Sequence, residues 1–265
     1  MGRNTIRADR RFRPSATGRF WVVLLLIVGL SAAWQARPIS ADEGPCEPYR
    51  FEGQHFTVCT IDLRQFTLRL FWQDEEGNPY GAFHRLPAET GDGRLVFAMN
   101  AGMYRPDQSP AGLYIENGET YREANTADGP GNFHMKPNGV FFVADGRAGV
   151  LETERYLAVD PPSELATQSG PMLVIDGRIH PRFLPDSTSR KRRNGVGVVD
   201  AHTVVFAIAE GFVTFHQFAR LFRDEFGADN ALFLDGSMSS LYAPDLGRLD
   251  ALRPMGPIIG AIAED

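Results

Sequence analysis

The sequence predicts an α+β fold in a single domain, a mainly antiparallel β-sheet system with a few packed helices. Three observations carry this reading. Short apolar runs of strand composition follow one another at 56–61, 66–72, 95–99, 112–115, 139–143, 171–175, 195–199 and 204–209. Asn117-Gly118, Asp145-Gly146 and Asp176-Gly177 sit between strand-like segments, where a tight hairpin needs positive φ. One stretch has helical period instead: Phe215, Phe218, Ala219, Phe222 and Phe226 fall at i, i+3, i+4, i+7 and i+11, on one face.

The elements can be justified in order. Arg3, Arg7, Arg10, Arg11, Arg13 and Arg19 precede an apolar run from Phe20 that fades at Ser31-Ala32-Ala33-Trp34. That is the basic and apolar pattern of a secretory signal, with a cleavage site expected at Ile39-Ser40-Ala41 or around Ala36. Retention as an anchor is the alternative, although the run is short of the ~20 residues of a bilayer span. Residues 1–41 are therefore read as signal peptide or N-terminal anchor, and 42–265 as the exported domain, periplasmic or extracellular. The two cysteines of the chain, Cys46 and Cys59, are expected to form a disulfide in that compartment and to tie the mature N-terminus to the first strand.

Hydrophobic residues make up 43% of the chain, which excludes a disordered protein, and a net charge of -6 argues against nucleic-acid binding. A helix is expected around 163–166. The helix at 215–226 is punctuated more clearly. Thr214 and Gln217 form a capping box, Val213 and Phe218 a hydrophobic staple, and Gly227 the stop. It leads into a buried strand at 231–234, which runs into Asp235-Gly236-Ser237-Met238-Ser239-Ser240.

A carboxylate emerging from a buried strand, followed by Gly and hydroxyls, has backbone donors beside it and substrate access above. An Asp before Gly also suits a simple turn. Asn100-Ala101-Gly102-Met103-Tyr104 follows another buried strand, where Asn100 can bind sugar hydroxyls or phosphate oxygens, or simply shape a turn. Glu210 is a second carboxylate at a strand end. In Arg190-Lys191-Arg192-Arg193, one Arg at the strand start could fork onto a phosphate while the others are solvated. His134, His180 and His216 show no zinc-ligand spacing, and no Gly-x-Ser-x-Gly nucleophile elbow occurs.

Taken together, five segments resemble the phosphodiester glycosidase family, that of the lysosomal uncovering enzyme, whose bacterial members are linked to exopolysaccharide metabolism. They are Phe97 to Tyr104, Gln168 to Gly177, Arg193-Asn194-Gly195-Val196-Gly197, the Glu210-Gly211 helix unit and Asp235 to Ser240, in family order across roughly residues 50–262. The resemblance implies hydrolysis of a sugar-1-phosphodiester at its glycosidic bond. Asp235, Glu210 and Arg193 would be catalytic, and Asn100, Gly102, Gln168, Ser169, Gly236, Ser239 and Ser240 would bind substrate. The expected partner is a carbohydrate phosphodiester or polysaccharide, with no nucleic acid and membrane contact only through the N-terminal segment. No metal ligands or cofactor are implied, and a divalent cation is left open. A polysaccharide-binding or assembly module and a metal-dependent phosphodiesterase are the rival readings. Ala101 replaces a family glycine, and Ser237 and Met238 replace two more in the Asp-Gly-Gly-Gly-Ser loop, where Met238 would reshape the pocket.

Overall fold

The structure is a computed structural model that describes residues 44–91, 93–236, 238–250 and 254–264. The signal or anchor segment expected at 1–41 and the departure at Ser237 lie outside the described residues. Every strand pairing among the described residues is antiparallel. The α+β class holds, with the helical share small.

Three sheets make up the fold. The largest has seven strands in the spatial order Cys46–Phe51, Gln54–Asp62, Thr203–Ala209, Asn194–Val198, Asn230–Phe233, Met172–Ile175, Arg178–Ile179. The second has five, running from Glu119–Arg122 through Tyr114–Glu116, Ser163–Ser169 and Gly139–Ala144 to Arg147–Glu152. The third has six in total. Arg248–Leu249, Leu241–Ala243, Gly93–Asn100, Ile258–Ala263 and Phe66–Phe71 form its path, and Glu89–Thr90 pairs with Gly93–Asn100.

The seven-stranded sheet is buried on both faces, so its central strands read as continuous apolar runs. Every residue of Thr203–Ala209 is buried. Val204, Phe206 and Ile208 face the other two sheets, where Phe206 meets Phe97 at 4.9 Å and Phe141 at 5.9 Å between ring centroids. Val205 and Ala207 face the helix Phe215–Arg220 with Phe218, Phe222 and Phe226. Close approach there depends on glycine: a Cβ on Gly197 would lie 2.6 Å from Phe222 Cδ1.

The local signals in the sequence are realised. Thr214 Oγ1 accepts from the Gln217 N–H at 3.1 Å, and Gln217 Oε1 accepts from the Thr214 N–H at 3.2 Å, closing the capping box. Val213 and Phe218 lie in one buried cluster, as a staple requires. The α-helix stops at Arg220 and continues as a π turn over Leu221–Glu225, and Gly227 then takes φ +66°. Asn117, Asp145 and Asp176 and the glycines after them all have positive φ.

One local expectation is corrected. Ser163–Ser169 is a strand, not a helix. Its pairing with Gly139–Ala144 and Tyr114–Glu116 overrides the local propensity, and the short helix of this region is Thr153–Val159, one element earlier. Cys46 and Cys59 are bonded across the first hairpin, where they are directly opposed.

Candidate active site

The register of the seven-stranded sheet brings several expected residues to one of its ends. Asn194 opens one strand opposite Ile208, Gly195 opposes Phe233, and Met172 opposes Leu232. Asp235, Arg193, Glu210 and the Ser169-Gly170-Pro171 connection therefore leave the sheet at the same end. The other two sheets reach it too. Asn100 ends Gly93–Asn100, Ser240 precedes Leu241–Ala243, and Ser169 ends the strand Ser163–Ser169.

The junction is held by a buried amide pair. Asn194 Nδ2 donates to Asn100 Oδ1 at 2.9 Å and to the Asn100 carbonyl at 3.2 Å. Asn194 Oδ1 accepts from the Asp235 N–H at 2.8 Å, and the Ser240 N–H donates to Asn100 Oδ1 at 2.9 Å. Two donors on one oxygen fix the orientation of the Asn100 amide, since the reverse placement would set donor against donor. Asn100 Nδ2 is then left buried with no hydrogen-bond partner among the described residues. A buried orphaned donor is costly, which makes it a natural contact for a ligand oxygen.

Further bonds fix the rest of the junction. Ser169 Oγ donates to the Leu234 carbonyl at 2.7 Å, and the Gly102 N–H donates to Thr167 Oγ1 at 3.2 Å. Ser239 Oγ donates to the Asp235 and Gly236 carbonyls, each at 3.0 Å. Gly102 is needed for space: a Cβ there would sit 2.4 Å from the Gln168 carbonyl oxygen and from Thr167 Oγ1. Gln168 commits its side chain to the scaffold, accepting from the Leu113 and Asn125 N–H groups and donating to the Asn125 carbonyl and Thr153 Oγ1.

Of the four basic residues 190–193, only Arg193 is buried, at 2% exposure. Its Nε donates to the Val213 carbonyl at 3.0 Å and its Nη2 to the Ser189 carbonyl at 3.3 Å. Its guanidinium lies 3.5 Å over the Phe215 ring and 5.6 Å from that of Phe233. No carboxylate lies within ion-pair distance of it among the described residues. Burial pushes its pKa down to about 10. A desolvated cation on an aromatic face, without a counter-ion, is suited to receiving an anion.

Glu210 is placed differently. Its Oε1 accepts from Thr57 Oγ1 at 2.7 Å and from Arg248 Nη1 at 2.5 Å, and its Oε2 lies 3.8 Å from Arg192. Arg248 also pairs with Asp250 at 2.9 Å, and Asp250 Oδ2 accepts from the Leu241 N–H. Glu210 thus belongs to a charge network that ties the segment after Ser240 to the large sheet.

Asn194, Tyr104, Arg248 and Asp250 were not singled out from the sequence. Asn194 had a usable signal, a polar residue opening a buried strand beside Arg193. Tyr104 packs against Gly256, where a Cβ would lie 2.4 Å from its Cγ. Burial, and then the charge of Asp235, push the Tyr104 phenol up to about 12. Asp235 and Tyr104 therefore share one electrostatic neighbourhood. No group of three or more His, Cys, Asp or Glu side chains able to hold a metal ion occurs among the described residues.

The fold and junction define an antiparallel α+β protein with a polar site where three sheets end. The sequence matches the phosphodiester glycosidase family over residues 93–259. It is 35% identical over 184 residues to the uncharacterized protein YigE of Escherichia coli, covering 69% of this chain and 72% of that one. Among solved structures it resembles the zebrafish N-acetylglucosamine-1-phosphodiester alpha-N-acetylglucosaminidase catalytic domain, auto-inhibited by its pro-peptide, with TM-score 0.54, 14% identity and 87% of each chain covered. The chain belongs to the phosphodiester glycosidase family.

Proposed function

We propose that this protein is an exported hydrolase that cleaves the glycosidic C–O bond of a sugar-1-phosphodiester in glycan or exopolysaccharide metabolism. The observation that carries the reading is Arg193, a buried cation with no counter-ion among the described residues, at the sheet end that also bears Asp235. The family and the zebrafish glycosidase support the reaction class, and the disulfide supports export to an oxidising compartment.

The chemistry follows from the leaving group. A phosphodiester departs from C1 as a stable phosphomonoester anion, so it needs little proton donation. The site must instead support an oxocarbenium-like centre and the departing negative charge. Asp235 acts on C1 as nucleophile, or as the base that deprotonates the attacking water. Arg193 receives the phosphoryl charge. Asn100 Nδ2 donates to a sugar or phosphate oxygen, and Gly102, Gly236, Ser239 and Ser240 form the rim around the ligand. Ser169 and Gln168 act through the loops they hold, and Glu210 steadies Ser240 through Arg248 and Asp250. Met238 stands where the family loop has glycine and narrows the choice of sugar.

The deciding experiment is turnover of a panel of sugar-1-phosphodiesters in ¹⁸O-water. Free sugar labelled at C1 plus unlabelled phosphomonoester is the expected result. Sugar phosphate plus alcohol, with label on phosphorus, would assign a phosphodiesterase. Binding without turnover, unaffected by Asp235→Asn, would assign a non-catalytic glycan-binding module.

A further inference from the structure

Beyond Arg193 lies a second basic feature that the proposed reaction does not use. A solvent-open cavity of about 540 Å³ is lined by Arg178, His180, Phe183, His216, Arg220 and Arg223, with Ile179 and Pro181. Among the described residues no acidic side chain is in the lining, although the chain carries a net charge of -6. Carboxylates beside the cavity hold two of its arginines. Arg220 pairs with Glu52 at 2.6 Å and with Asp224 at 2.8 Å, and Arg223 Nε pairs with Asp224 at 2.6 Å. Pinning guanidiniums in this way reduces the entropy lost when their remaining N–H groups take a ligand. Arg178 has no ion-pair partner among the described residues.

The cavity is joined to the candidate active site by a stack of flat groups. The His180 ring lies 4.7 Å from that of Phe183, the Phe183 ring 4.7 Å from that of Phe215, and the Arg193 guanidinium 3.5 Å over Phe215. His180 is locked in this stack: its Nδ1 accepts from the Arg182 N–H, and its Nε2 faces the Lys136 carbonyl. Burial lowers its pKa, in keeping with a neutral ring.

The geometry points to a second phosphoryl-binding site in this cavity, which takes the next phosphate of a substrate bearing several phosphodiesters. The inference rests on the proposed function for the identity of the occupant, and on the cavity alone for its anion chemistry. The substrate class is then a polymer of sugar phosphodiesters, with one phosphate at Arg193 and a neighbouring one at Arg178 and Arg223.

The test has two arms on the full chain. In the first, tripolyphosphate is titrated calorimetrically into the wild type, Arg178→Ala, Arg223→Ala and a surface control, Arg64→Ala. Loss of a charge-assisted contact predicts about tenfold weaker binding for each cavity variant and none for the control. Equal affinities across all four proteins, or an equal loss in Arg64→Ala, would overturn the site. In the second arm, KM is compared for glycans with one and with several phosphodiesters. Arg178→Ala raises KM for the polymer alone if the cavity holds the second phosphate. A change for both substrates, or for neither, overturns that assignment. If the wild type hydrolyses neither glycan, the proposed function fails, while the binding arm still decides the cavity.

Discussion

Replacing Arg193 by Met separates its contribution to the fold from its contribution to function. Burial lowers the pKa of this guanidinium from its ordinary value to about 10, so holding it charged costs the folded state roughly 3 kcal/mol. Against that stand two hydrogen bonds to the Val213 and Ser189 carbonyls, worth ~1 kcal/mol each, and a cation–π contact with Phe215 worth ~1–2 kcal/mol. The opposing contributions nearly cancel. Met fills a similar apolar volume, so Arg193→Met is expected to melt within about 5 °C of the wild type.

Activity behaves otherwise. Removing a preorganised charge from a developing anion costs ~10²–10³-fold in kcat. The assays are thermal unfolding without ligand and kcat/KM on an activated sugar-1-phosphodiester. The pH behaviour is a further check. For a base whose folded pKa is lowered, the unfolded chain carries more bound proton only from about pH 10 up to the ordinary guanidinium value, so stability rises with pH in that window alone. The stability difference between wild type and variant is therefore flat from pH 6 to 9. A drop in Tm beyond about 10 °C would make Arg193 a structural cation, and a loss of activity below tenfold would remove it from the reaction.

Three further outcomes follow from the same structure. Asn194→Ala removes its bonds to Asn100 and Asp235 and leaves buried groups unpaired, at a cost of ~2–4 kcal/mol. Its melting temperature should fall by about 5–15 °C, and a fall under ~2 °C would contradict the junction described. Gly102→Ala forces a Cβ into the Gln168 carbonyl and the Thr167 hydroxyl, so it should cost ~1–3 kcal/mol in denaturant unfolding and lower turnover by shifting Asn100. Replacing both cysteines by Ser opens a loop with a sequence separation of 13, and should cost roughly 3 kcal/mol in urea unfolding with KM unchanged.

Much of the local structure was legible in the sequence because its causes are local. The capping box at Thr214 and Gln217, the stop at Gly227, and the turns at Asp145-Gly146 and Asp176-Gly177 each depend on a few adjacent residues. The central strands were visible as apolar runs because the large sheet is covered on both faces. Ser163–Ser169 was misread because its state is set by partners distant in the chain.

The sequence by itself placed polar residues at the ends of buried strands: Asn100, Arg193, Glu210 and Asp235. Strand composition and turn chemistry suffice for that. Only the tertiary structure decided which ends meet. Hydrogen-bond register sets which strands finish together, and three separate sheets must pack before Asn100 can reach Asn194, or Ser169 the Leu234 carbonyl. Packing also distinguished like residues. Among four neighbouring basic side chains only Arg193 is buried against Phe215, while Glu210 and Asp235, both at strand ends, differ because Arg248 comes within hydrogen-bonding distance of the first. Burial and charge neighbours come from chain segments far apart in sequence, so no local pattern could assign them.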